Sequence, residues 1–178
     1  MKRRISGFLR RFNRLPDSVI KCTLARKNGE GKLANLGLNL LIGAIMITLT
    51  VGIQTAGFIQ VTHFMGWMVN RFRWHGRRNR VLALITVVYG VFILLTVEVW
   101  AWAVLYDLLG VVGDFPSALY FSTVTFSTVG YGDVIAHSDW RMLAALEGIN
   151  GFMMIGWSTA YLVAAGIRVG PFRHGEHF

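Results

Sequence analysis

Cysteine is almost missing from this chain: Cys22 stands alone among 178 residues. One thiol closes no intrachain disulfide, and no second Cys or nearby His stands at ligand spacing, so nothing here marks a disulfide scaffold or a structural zinc site. Acidic residues are scarce as well, nine against eighteen Lys and Arg, for a formal net charge of +9. More telling is where charge is missing altogether. No Asp, Glu, Lys or Arg lies between Lys32 and Arg71, Glu98 alone interrupts Val81 to Tyr106, and Glu147 alone interrupts Met142 to Ile167. Crossing a bilayer takes about 20 mostly apolar residues, so each stretch is long enough, and three membrane segments are expected. A hydrophobic share of 54% exceeds that of an ordinary soluble domain. His63, His75, His137, His174 and His177 are scattered, and no nucleophile–base spacing appears, so neither an enzyme nor an organic cofactor is expected.

What is present is arranged around those gaps. Residues 1–33 hold ten of the eighteen Lys and Arg, and Ile5, Phe8, Leu9 and Phe12 recur at helical spacing between them. That pattern predicts a basic amphipathic tail ending near Pro16, suited to an anionic lipid surface, a solvated tail or an organelle transit peptide. Because the basic residues lie mainly outside the apolar runs, a membrane is the expected partner and nucleic acid is not. The first membrane segment falls within 34–70, with His63 and Trp67 toward its interfacial end. A linker at 71–80 carries five arginines. A second span follows at 81–106, with Trp100, Trp102 and Tyr106 assigned to an interfacial aromatic belt. A third covers 141–168, and a tail at 169–178 is too short for a ligand-sensing domain.

The segment between the second and third spans carries the chemistry. Pro116 suits the first turn of a helix, where its missing N–H costs nothing, and 116–127 makes a half-helix of roughly 18 Å, about half the hydrocarbon thickness. The chain must then return through 128–133, Thr-Val-Gly-Tyr-Gly-Asp. Irregular backbone at that depth is tolerated only inside protein or along a polar cavity, so a pore-lining loop is expected. Gly130 and Gly132 accept φ > 0, and alternating such conformations turns successive carbonyls the same way. The carbonyls of Thr128, Val129, Gly130 and Tyr131 are the ones such a turn would align, in a position where they could face a cation. One loop cannot surround an ion, whereas four identical loops about a four-fold axis can, so a homotetramer is expected.

In these features the sequence resembles the pore-loop potassium channel superfamily, over roughly Val81 to Ile167. The match is the Pro-started half-helix Pro116–Phe126, then Thr128–Asp133, bracketed by two spans. The run Arg141-Met142-Leu143 with Leu146-Glu147-Gly148-Ile149-Asn150-Gly151 looks like small bacterial potassium channels with one extra leading span. The resemblance implies an all-α integral membrane fold of three transmembrane helices plus a re-entrant pore helix. It further implies a K+ filter at Thr128, Val129, Gly130, Tyr131 and Gly132, with K+ bound at the first four, in the plasma or inner membrane. It also implies that Asp133 bonds to an aromatic of the pore helix, with Tyr120 the candidate, and that the Tyr131 ring packs sideways to hold the filter open. Some members place a glutamate behind the filter where this chain has Val124, and no span here carries arginine at every third position. Coupling through that glutamate and steep voltage gating are therefore not expected. Transporter subunits with pore loops carry four degenerate repeats in one chain, and this chain has one complete loop. A non-conducting scaffold is the other alternative.

Secondary sites carry less. Glu98 and Glu147 lie inside spans near the filter's level, where a charge costs at least about 2.5 kcal/mol. Glu98 is assigned to bracing the pore helix through Ser or Thr hydroxyls. Glu147 either does likewise or faces the cavity as a gate, and both can equally be structural. Gly151 matches the place where the family's inner helix bends, or serves close packing. Asn150 lines the cavity or bonds a neighbouring helix, and Gln54, Gln60 and His63 are read as structural. An outward filter puts the arginine linker and the C-terminus in the cytoplasm, which leaves the basic N-terminus outside against the positive-inside rule. Three spans with an outer N-terminus is the favoured resolution. The alternatives are a hairpin turning near Gln54-Thr55 and removal of the tail.

Overall fold

The computed structural model describes the backbone of residues 17–71 and 77–169 and the side chains of 33–68 and 81–168. The expected amphipathic segment at 5–12, the middle of the arginine linker and the tail from 170 lie outside the described residues. Every element is helical: α1 (Asp17–Arg71), α2 (Arg77–Leu108), α3 (Phe115–Phe126), a 3-10 turn (Ser138–Trp140) and α4 (Arg141–Val169). The chain divides into two units, Met1–Asn39 and Leu40–Phe178. In the first, Asn39 Nδ2 donates to the Asn35 carbonyl at 2.7 Å. All packing described below belongs to the second.

Among the described residues, two windows are long and apolar enough to cross a membrane, Leu33–Met68 and Val81–Leu108. The third expected span, α4, does not reach that apolar density, because Glu147, Asn150, Ser158 and Thr159 interrupt its hydrophobic residues. α1 continues unbroken through Gln54-Thr55, where a hairpin would have needed its turn.

Each long helix buries one stripe at three- to four-residue spacing, the pattern of a single helix face. On α2 the stripe is Ala83, Val87, Val91, Glu98, Trp102 and Tyr106, on α1 it includes Met46, Thr50, Gln54 and Phe58, and on α4 Leu143, Glu147, Asn150, Met154 and Ser158. The opposite faces stay apolar yet uncovered, for example Val88, Phe92 and Ile93 on α2 and Ile149, Phe152 and Met153 on α4. Apolar surface on that scale calls for lipid or further protein against it. Trp102 and Tyr106 sit inside, not in an interfacial belt, because the four-residue spacing that links them to Glu98 turns them toward α3 and α4. Trp100, two residues out of register, is the one left half exposed.

Close approaches at glycine set the helix order. Gly57 takes the Leu94 side chain and Gly90 takes Val61, so α1 runs antiparallel to α2. Gly43 takes Leu146, Thr50 meets Asn150 and Gln54 meets Ser158, so α1 runs parallel to α4. The short α3 is set among α2 and α4, where Phe121 meets the Tyr106 ring edge-on at 5.3 Å between centroids.

Candidate functional site

The site grows out of α3. Its N-cap, Asp114, is extended (φ −151, ψ 161), Pro116 occupies the first turn, and the Ala118 N–H donates to the Asp114 carbonyl at 2.9 Å. At the other end the Ser127 hydroxyl donates to the Thr123 carbonyl at 2.7 Å. The backbone that follows is fastened to the last turn of the helix. Thr128 N–H donates to Thr125 O at 3.0 Å, while Val129 and Gly130 N–H share Val124 O at 3.1 and 3.2 Å. Both N–H groups thus converge on the Val124 carbonyl.

Left-handed backbone recurs at every second residue: Thr128 (φ 60), Gly130 (φ 58) and Gly132 (φ 77). Glycine makes two of these positions tolerable, as the sequence implies. Thr128 is the unforeseen one, since a side chain in that region costs about 1–2 kcal/mol, and the three backbone bonds to the α3 end offset it. The α3 C-terminus adds about half a negative charge at this point, which favours a cation near Thr128. Within its own chain the loop is open: Val129 is 54% and Tyr131 73% exposed. Among the described residues no aromatic ring packs against Tyr131.

On the far side of the loop, Tyr120 donates its hydroxyl to Asp133 Oδ2 at 2.7 Å, and Val134 N–H donates to Oδ1 at 3.0 Å. The Tyr120 bond holds the Asp133 carboxyl below the usual carboxylate range, with the Val134 N–H assisting. A cavity of about 120 Å³ is lined by Tyr120, Val124 and Thr125 of α3 and by Gly130, Gly132 and Asp133 of the loop.

Beneath α3 lies a carboxylate shared by three helices. Glu147 of α4, fully buried, accepts the Tyr106 hydroxyl of α2 and the Ser122 hydroxyl of α3, each at 2.5 Å. Ser122 also lies 3.0 Å from the Val99 carbonyl. A hydrogen bond of this kind contributes about 1 kcal/mol net, so this clamp ties α3 to both long helices.

The other candidates fall differently. Glu98 is equally buried, but neither of its carboxyl oxygens has a hydrogen-bond partner among the described residues, and Trp102 Nε1 one turn later is also unpartnered. It reaches no pore-helix hydroxyl, and Glu147 is the acceptor there. Asn150 does not stand alone in a cavity: its Oδ1 accepts the Thr50 hydroxyl of α1 at 3.2 Å. Gly151 lies directly under the Phe126 carbonyl, and any Cβ there would overlap that backbone. α4 is continuous through it, and Gly151 serves close approach in this arrangement. Gln54 donates to Ser158 Oγ at 2.6 Å. Tyr106 was missed as a ligand of Glu147. The shared face of Glu98, Trp102 and Tyr106, four residues apart, was the available signal.

Residues 92–168 match a family model described as an ion channel. No curated protein matches, and no solved structure does.

Proposed function

Residues 92–168 belong to the pore-loop potassium channel superfamily, and from that premise we propose that this membrane protein, an ion-channel subunit, conducts K+ selectively as a homotetramer. The observation that carries the reading is the backbone of 128–132, left-handed at alternate residues and tied to the C-terminus of a half-length helix. Such a strand presents a ladder of carbonyl oxygens, and K+ exchanges its water for them when four copies meet on one axis. The exposure of Val129 and Tyr131 fits surfaces that neighbouring subunits cover. The Thr128 hydroxyl closes the inner end of the ladder. Asp133, held ionised by Tyr120, stands at the outer mouth.

In this reading α1, α2 and α4 each cross the membrane once. The polar face of α4, carrying Glu147, Asn150 and Ser158, is turned into the protein, which lowers its hydropathy without exposing a charge to lipid. The filter faces outward, so the arginine linker is cytoplasmic. The parallel course of α1 and α4 supports an outer N-terminus, and the unbroken α1 supports a single crossing. A plasma or inner membrane is the setting proposed.

The test is cation flux from liposomes holding the purified protein. K+ efflux well above Na+ efflux, blocked by barium and abolished by Gly130→Ala, is the expected result. Equal passage of both ions, or none, overturns the assignment.

A further inference from the structure

Past Gly156, α4 is held by α1. Gln54 Nε2 donates to Ser158 Oγ at 2.6 Å, with both residues buried. Tyr161 stacks on Phe58 with centroids 4.2 Å apart and planes within 6°, and its hydroxyl lies 2.8 Å from Thr62 Oγ1. Trp157 meets Phe58 edge-on at 5.6 Å. Among the described residues, the hydrogen bonds and ring contacts that this half of α4 makes to another helix all go to α1. Before Gly156 the support is shared: Leu143, Glu147 and Gly151 of α4 rest on α2 and α3, while α1 adds the Gly43–Leu146 approach, the Thr50–Asn150 bond and a contact from Gln54 Nε2 to the Met154 carbonyl at 3.5 Å. Gly156 itself has nothing within 4 Å of the place a Cβ would take. A glycine inside a helix weakens it by about 1 kcal/mol relative to alanine, and no neighbour locks this one. Rungs at Asn150 above it and at Ser158 and Tyr161 below it therefore span a weak point of α4.

We propose that α1 is a brace on α4, in which Gln54, Phe58 and Thr62 position the inner half of that helix and so set how readily the pore opens. The inference rests on the channel reading above and extends it to the leading helix. Between helices in lipid there is little hydrophobic drive, so side-chain hydrogen bonds and close packing carry the association. Gln54, Thr62 and Tyr161 are positioning residues: they bind no ion and act through α4.

The experiment uses the full chain reconstituted in liposomes. Gln54→Leu and Ser158→Ala are each expected to change K+ flux about three- to twentyfold, the range one interhelical hydrogen bond supports, with the K+/Na+ ratio unaltered. Combining them should change flux no more than the larger single effect. In a second arm, Gln54→Cys with Ser158→Cys in a Cys22→Ser background should lock flux at one level on oxidation and regain it on reduction. Unchanged flux in the single variants, independent additive effects, or a cross-link that leaves flux untouched overturns the brace. Should the unaltered protein pass no K+, the channel reading fails instead. The same cycle is then read by thermal melting, where coupling between 54 and 158 supports the brace and additivity overturns it.

Discussion

Two buried glutamates sit on facing helices of this protein, and their surroundings differ completely. Glu147 is met by hydroxyls from two other helices, Tyr106 and Ser122. Glu98 is just as inaccessible, yet neither of its oxygens has a partner among the described residues. Chain composition treats the two alike, as single charges inside apolar runs. What separates them is rotational position. Glu147 lies on the α4 face that meets both α2 and α3, while the hydroxyls of α3 turn away from Glu98. A carboxylate with two donors holds helices together. One with none contributes little cohesion and adds a burial cost.

That contrast is open to direct challenge. Replacing Glu147 by Leu should destabilise the protein by about 2–4 kcal/mol, because the Tyr106 hydroxyl is stranded while Ser122 falls back on the Val99 carbonyl. Thermal melting in detergent measures it, and an unchanged midpoint would break the comparison. Gly151→Ala comes next, at about 1–3 kcal/mol of overpacking. Its added methyl group presses the Phe126 carbonyl at the root of the loop, so K+ flux should fall with stability. Tyr106→Phe removes one bond to Glu147 and should cost about 1 kcal/mol. Glu98→Leu should have the opposite sign, leaving the midpoint unchanged or raising it. A loss as large as that for Glu147→Leu would show that Glu98 has a partner after all.

The smallest effect concerns the outer mouth. Asp133 titrates below the ordinary carboxylate value because Tyr120 donates to its ionised form. A depressed value means that the contribution of this bond is fully present above the ordinary carboxylate pKa, near 4, and is lost as pH falls through the lowered one. Flux should therefore show no step from this pair between neutral pH and about pH 4. Tyr120→Phe should move the Asp133 titration upward toward the ordinary value, read from its carboxyl resonance. A titration that stays in place would remove Tyr120 as the cause.

Much of the architecture was legible in the chain because hydropathy reports burial. The apolar runs within α1 and α2 stand out, the first free of charge and the second broken only by Glu98, and Pro116 with the Thr-Val-Gly-Tyr-Gly-Asp sequence marks α3 and its return loop. Partnership was not legible. Nothing in a one-dimensional pattern says that Ser122 turns to Glu147 and not to Glu98, because that depends on how α2 and α4 are rotated about their axes. The same limit hid which carbonyl Gly151 packs against, the interior placement of Trp102 and Tyr106, and the register that brings Gln54 to Ser158. Thr128 escaped for a separate reason: its left-handed backbone is imposed by hydrogen bonds to the end of α3, against its own preference.

The account turns on main-chain oxygens of 128–131 converging from several copies on a permeating ion. Single-particle imaging of the purified protein in K+ tests this most directly. Four-fold symmetry, with a column of ion density ringed by the carbonyls of Thr128, Val129, Gly130 and Tyr131, is the predicted result. A monomeric particle, or carbonyls directed away from a common axis, would contradict it.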